Sequence, residues 1–314
     1  MADNCGSDGI YAMIALDESA SPAYANYTAA SPCFPLLQEG SSLIQIIDHV
    51  NTAGLNGETE EDVEQTREGF RRVEGDISLA ATPNTIQRFM PYITGMAWAT
   101  NKTFPVKPLY PFWHAIVHKD AQIYEYQSLQ ATKFVLSSAS GEMVKFVVSV
   151  LGKKRGSLQT VWPTNLQPDQ LSPYMHADLE FKVNNTTVYT TRNFTLTHDK
   201  NMGPRYFDKN EPCGFKRNGK ATTSLSISLP HTSANVSALL SAAAPPAYLS
   251  VKVTITHPNG TMSTILEMPG WQIPPKDPGA SAGEILLQLD GFCRRTPDGT
   301  GGRLASFIVT NDNV

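Results

Sequence analysis

Residues able to do chemistry are thinly scattered along this 314-residue chain. Residues 279–283, GASAG, have the G-x-S-x-G spacing of a nucleophile elbow, which exposes a serine hydroxyl on a strained turn between a strand and a helix. The Pro-rich IPPKDP precedes Ser281 and the strand-like EILLQLD follows it, so the required turn is missing. His114 and His118 have the spacing of a helical metal pair, but FWHAIVHK reads as a strand, where four residues span about 13 Å. No carboxylate or cysteine joins them at ligand spacing. Cys5, Cys33, Cys213 and Cys293 form no CxxC pair, so free thiols are expected and neither a zinc site nor a disulfide framework. Phosphate-loop, dinucleotide, zincin and EF-hand patterns are absent. The reading is of a protein without catalytic residues, cofactor or metal.

Binding chemistry is equally sparse. Phe112, Trp113, Tyr124, Tyr126 and Phe134 could stack on bases, yet no basic residues are interleaved with them as such a platform requires. Lys and Arg total 25 against 29 Asp and Glu, a net charge of −4 that offers no field to grip a polyanion. Seven N-x-S/T sequons would matter in a secreted protein, but MADNCGSDGIYAMIALDESA has no basic n-region, and no stretch is long and apolar enough to span a bilayer. The expectation is a protein kept in the cytosol, away from membranes.

The elements that would position side chains are mostly strands. Residues 1–42 mix small residues with Pro22, Pro32 and Pro35 and carry no sustained period, which reads as an extended arm. From Leu43 onward come LIQIIDHV, FRRVEGDISLA, FWHAIVHK, IYEYQ, ATKFVLSS and EMVKFVVSVLG, bounded by turn residues in the manner of antiparallel strands. TPNTIQRFM is the exception. Thr82 can cap, Pro83 suits the first helical position, and Ile86, Phe89 and Met90 share one face, predicting a short helix that ends near Pro91. Residues 156–175 then read as a surface linker.

The chain also repeats itself. Shifted by 150 residues, 67–90 aligns with 217–240 without a gap, matching Ile77-Ser78-Leu79 to Ile227-Ser228-Leu229 and Thr82 to Thr232. The helix face of Ile86, Phe89 and Met90 falls on Val236, Leu239 and Leu240, and LIQIID falls on NFTLTH. This predicts a duplicated antiparallel β-barrel or sandwich unit, at 43–155 and 176–314, each copy with a short helix. Each copy holds a long connection, 51–68 and 201–218. Glu58, Glu60, Glu61, Asp62 and Glu64 in the first and Asp208, Lys209 and Glu211 in the second are candidates for contacts with a neighbouring subunit or ring.

ALDESASPAYANYTAASPCFPLLQEGSSL, GFRRVEGDISLAATPNTIQRFMPYITG, YEYQSLQATKFVLSSASGEMVKFVVSVLGKKR with its turn at Ser140-Gly141, and LEMPGWQIPP before GEILLQLDGFCRR resemble, in combination, the tail tube proteins of long-tailed bacteriophages. The resemblance covers nearly the whole chain. It implies a structural virion protein, assembled in the bacterial cytoplasm, whose subunits form stacked rings lined by one continuous β-barrel. It implies partners in its own copies, in the tape measure and terminator proteins, and in DNA that passes without specific binding. A carbohydrate-binding or adhesive β-sandwich of a tail fibre or cell surface is the alternative.

Three expectations follow from the resemblance and the repeat together. In 70–80, Val73, Ile77 and Leu79 alternate with Arg72, Glu74, Asp76 and Ser78; in the second copy Leu225, Ile227 and Leu229 alternate with Thr222, Ser224, Ser226 and Ser228. The polar sets are candidates to face the channel. The arm is expected to gain order against a neighbouring subunit. Tail tube rings generally hold six barrel units, so a duplicated chain would close a ring as a trimer, with a hexamer expected if both copies build one unit.

Overall fold

A computed structural model describes residues 12–17, 27–28, 31–37, 40–51, 66–95, 103–105, 111–119, 122–163, 166–185, 187–230, 248–274, 286–297, 300, 302 and 304–312. The first part of the chain gives β1 (Ala12–Asp17), β2 (Pro32–Pro35), β3 (Ile44–Asn51), β4 (Thr66–Ala80), helix α1 (Pro83–Thr94), β5 (Thr103–Pro105), β6 (Trp113–Lys119), β7 (Gln122–Ala139) and β8 (Lys145–Gly152). Two short strands, β9 (Lys154–Arg155) and β10 (Gln167–Pro168), and a 3-10 turn at His176–Asp178 follow. The remainder gives β11 (Leu179–Val183), β12 (Thr187–Tyr189), β13 (Asn193–Asp199), β14 (Met202–Arg205), β15 (Gly214–Arg217) and β16 (Thr222–Pro230). It ends with β17 (Leu249–Thr256), β18 (Ser263–Gln272), β19 (Leu286–Cys293) and β20 (Ile308–Asp312).

The fold is mainly β and antiparallel, and its pairing is written twice. A wall runs β3–β4–β8–β7, and the same order recurs as β13–β16–β19–β18. A second layer runs β2–β1–β6–β7–β9 and recurs as β12–β11–β17–β18–β20. Even the irregularities agree: the register shifts between Trp113 and Ala115 where β6 meets β7, and between Leu249 and Val251 where β17 meets β18. The two wall segments are fused by a seven-residue ladder from Asn193↔Ala139 to Asp199↔Lys133, between β13 and β7. The equivalent of α1 in the second half, expected over Thr232–Leu240, lies outside the described residues.

The main core fills the space between the layers. Ile77, Phe134, Phe146, Leu196, Ile227 and Leu289 enter it from the wall, and Leu16, Val117, Phe181, Val253 and Met268 from the second layer. Helix α1 plugs one end with Ile86, Phe89 and Met90, the stripe its sequence spacing predicts, joined by Ile93. Its Thr82 cap accepts from the Thr85 N–H at 3.0 Å. The helix continues one turn past the expected stop at Pro91. Thr94 Oγ1 donates to the Met90 carbonyl at 2.7 Å, and Gly95, at φ 78°, closes the helix by donating to the Pro91 carbonyl at 2.9 Å.

Several sequence expectations are corrected here. IYEYQ and ATKFVLSS are one 18-residue strand, β7, whose first half pairs with β6 and whose second half pairs with β8 and β13. The change of sheet falls at Ser128, at φ 54°, whose N–H donates to His114 Nδ1 at 2.8 Å. LEMPG belongs to strand β18, where Pro269 and Gly270 sit at the β17–β18 irregularity and a missing N–H costs no ladder bond. The 201–218 connection contains a two-stranded ribbon, β14–β15. Within the supposed arm, β1 lies between β2 and β6, and Ile14, Leu16 and Phe34 belong to the main core. These strands take their order from their own chain. Their apolar run has no period because both faces are covered: Ala15 and Cys33 pack into a second cluster with Tyr27, Ile116 and Ile123.

Gly75 marks the point on β4 where its edge partner changes. β3 pairs up to Ile44↔Glu74, and beyond it Ser42 N donates to the Asp76 carbonyl at 2.9 Å. The chain passes so close that a Cβ on Gly75, at φ +147°, would lie 2.4 Å from the Ser42 carbonyl oxygen and 2.7 Å from Leu43 Cα. Backbone cannot swing aside as a side chain can. Gly75→Ala is therefore expected to cost about 1–3 kcal/mol, read as a lowered denaturation midpoint; an unchanged midpoint would show that the crossing is loose.

Candidate functional site

Strand alternation sorts the wall into a core face and an opposite face, and the ladder registers make that opposite face continuous. Asp76 stands beside Ser149, Ser149 beside Lys133, Lys133 beside Asp199 and Asp199 beside Thr222. Two rows further, Ser226 stands beside both Thr195 and Asp290. The two candidate sets, Arg72, Glu74, Asp76 and Ser78 on β4 and Thr222, Ser224, Ser226 and Ser228 on β16, thus share a single face, at equivalent positions in the two wall segments. The repeat seen in the sequence is what brings them together.

Within each set accessibility differs. Arg72, Glu74, Asp76, Ser224 and Ser226 are half-buried and Thr222 is exposed, whereas Ser78 and Ser228 are buried. Ser78 is covered because Ser41 crosses it, accepting from the Ser78 N–H at 3.1 Å. Arg72 bridges the wall edge, bonding Glu74 at 2.9 Å and Asp48 on β3 at 3.1 Å. The hydrogen bond to Glu74, reinforced by its charge and that of Asp48, raises the Arg72 pKa and fixes its charge. Ser226 donates to Asp290. On this face Arg72 is paired with acids, Lys133 stands beside Asp199, and hydroxyls share the surface with apolar residues such as Leu151, Val147 and Phe292.

Of the candidate assembly residues, Glu58, Glu60, Glu61, Asp62 and Glu64 lie outside the described residues. Asp208 and Lys209 are exposed, and Glu211 forms an ion pair with Arg71 of the same chain. His114 and His118 both lie on β6; His114 is buried and His118 packs against Trp162, with ring centroids 5.3 Å apart. Among the described residues, no group of three or more His, Cys, Asp or Glu is placed to hold a metal. Cys33, Cys213 and Cys293 are free thiols, and burial pushes Cys33 and Cys293 up to about 12. Ser281 lies outside the described residues. No described helix is long and apolar enough to cross a membrane.

Sequence reasoning missed one group. Lys200, only 1% exposed, donates from Nζ to the Tyr92 carbonyl at 2.7 Å and ties β13 of the second half to the last turn of α1 in the first. It stands in THDKNM, where a lysine beside turn residues signals solvent.

No curated protein sequence matches the chain. The family model described as phage tail tube protein matches residues 51–291, well over half of it, from the end of β3 through the two wall segments to β19. A duplicated antiparallel β wall accords with that match, and the chain belongs to the phage tail tube protein family.

Proposed function

We propose that this chain polymerises into rings that stack as the hollow tube of a phage tail, the conduit through which DNA leaves the particle, and that three chains close each ring. One observation carries the reading: two wall segments of identical strand order are already joined in series by the β7–β13 ladder. Among the described residues the outer edge of β3 has no strand partner, and such an edge is a template for another chain. Copies of this chain placed head to tail would cover it, and closure into a barrel would remove edges altogether. Six segments per ring, the number the family resemblance implies, require three such chains; six chains would be required if both segments acted as one unit. The face opposite the core would line the lumen, where its sparse basic residues let DNA slide. Tape measure and terminator proteins are the partners such a tube needs, and assembly belongs to the bacterial cytoplasm.

Electron cryomicroscopy of the purified, polymerised protein with symmetry left free tests this. Hollow tubes with three chains per ring and a wall of near-sixfold appearance are expected. Six equivalent chains per ring would overturn the three-chain closure, and a protein that stays dispersed under all assembly conditions would overturn the tube itself.

A further inference from the structure

Three Asn-Gly pairs occur in the chain, at Asn56-Gly57, Asn218-Gly219 and Asn259-Gly260. In such a pair the glycine nitrogen can reach the asparagine side-chain carbonyl carbon, because no Cβ on the glycine stands in the way. The first pair lies outside the described residues. The other two sit in unlike surroundings.

Asn259 is held on both sides of the bond that would have to form. Its Oδ1 accepts from the Thr261 N–H at 3.1 Å and the Met262 N–H at 3.3 Å, and the Gly260 N–H, on the atom that would attack, donates to the His257 carbonyl at 2.8 Å. Reaction there requires the turn to open first. Asn218 is not so held. It stands between Met202↔Arg217, the last rung of the β14–β15 ribbon, and the start of β16, and Asn218, Gly219 and Lys220 are all exposed. Its own N–H donates to the Asn201 carbonyl at 2.8 Å, but among the described residues nothing accepts from the Gly219 N–H. The positive charges of Lys216, Arg217 and Lys220 favour the amide anion that attacks.

We propose that Asn218 is a site of spontaneous deamidation. The Gly219 nitrogen gives up its proton and bonds to Asn218 Cγ, the Cγ–Nδ2 bond breaks, and Nδ2 leaves as ammonia with that proton. Water then opens the cyclic imide at either carbonyl. The products are aspartate and isoaspartate, the second with a main chain that runs through the former side chain. Both place a new carboxylate among Lys216, Arg217 and Lys220, where the ribbon joins the wall. The site does not depend on the ring reading above.

Ageing of the folded chain tests it. Dilute protein is incubated in mildly alkaline buffer, with and without urea, and amide loss at each pair is followed by chymotryptic peptide mapping and mass spectrometry. In buffer the loss at Asn218 should be about tenfold or more faster than at Asn259, since three hydrogen bonds must open before Asn259 can react. In urea, where neither turn persists, the two rates should come within about threefold of each other. Loss in buffer no faster at Asn218 than at Asn259, or the same ratio of rates in urea as in buffer, would overturn the assignment.

Discussion

Phe89→Ala should lower the unfolding free energy by about 3–5 kcal/mol, enough to remove a large share of the stability of a domain of ordinary marginality. The Phe89 side chain is wholly buried, and its ring meets Phe34 of β2 at 5.8 Å, Trp113 of β6 edge-on at 5.6 Å and Phe146 of β8 at 5.9 Å. These three neighbours belong to the wall and to the second layer, so the ring of one helical residue fixes the spacing between them. Its loss leaves a cavity that strands locked in ladders cannot collapse to fill. Phe112→Ala, at a ring that is 44% exposed, should cost well under about 1 kcal/mol and serves as the control. Urea unfolding of dilute monomer, followed by tryptophan fluorescence, reads both; a Phe89→Ala loss below about 1 kcal/mol would mean that α1 is a peripheral plug.

Stability should also rise with pH over a wide range, by an amount traceable to two buried groups. Burial lowers the Lys200 pKa from 10.5 to about 7, so between those values the unfolded chain binds a proton that the folded chain does not. Stability contributed by this difference is absent below about pH 7 and is gained as pH rises toward 10.5. Burial, then the Lys200 charge, lowers His198 from 6.5 to about 3, which adds a gain between about pH 3 and 6.5. From pH 7 to 9 the Lys200 contribution amounts to about 2 kcal/mol. Cys33 and Cys293, raised to about 12, act in the opposite direction above pH 9, so the comparison is best made against Lys200→Met, which keeps both thiols. In that variant the gain from pH 7 to 9 should vanish, while the gain below pH 6.5 remains. An identical slope in wild type and variant would show that Lys200 reaches water.

The wall was more legible in the sequence than the second layer, for a definite reason. β3, β4, β13 and β16 keep one offset because the two strands of each pair are separated by a connection of equal length, so an ungapped shift of 150 exposes them. β1 and β11, or β6 and β17, occupy equivalent places in their ladders at other offsets, since the loops between them differ in length. Their kinship is visible only in the pairing. Helix α1 could be read from Thr82, Pro83 and the Ile86–Phe89–Met90 stripe because all its signals are local. β1 could not, because a strand covered on both faces has no period. Lys200 escaped because its burial is decided by Tyr92, 108 residues away, which no local window contains.

The β7–β13 ladder has a kinetic consequence. In a three-chain ring, half of the segment junctions are made while each chain folds, at the speed of an intramolecular closure and independent of concentration. Two collisions then suffice, because the last junction closes within the ring. Tenfold dilution lowers the equilibrium amount of such rings by about 10³, where rings of six single-unit chains would fall by about 10⁶. A duplicated chain that closes rings of three would therefore form them at a lower concentration than a single-unit chain.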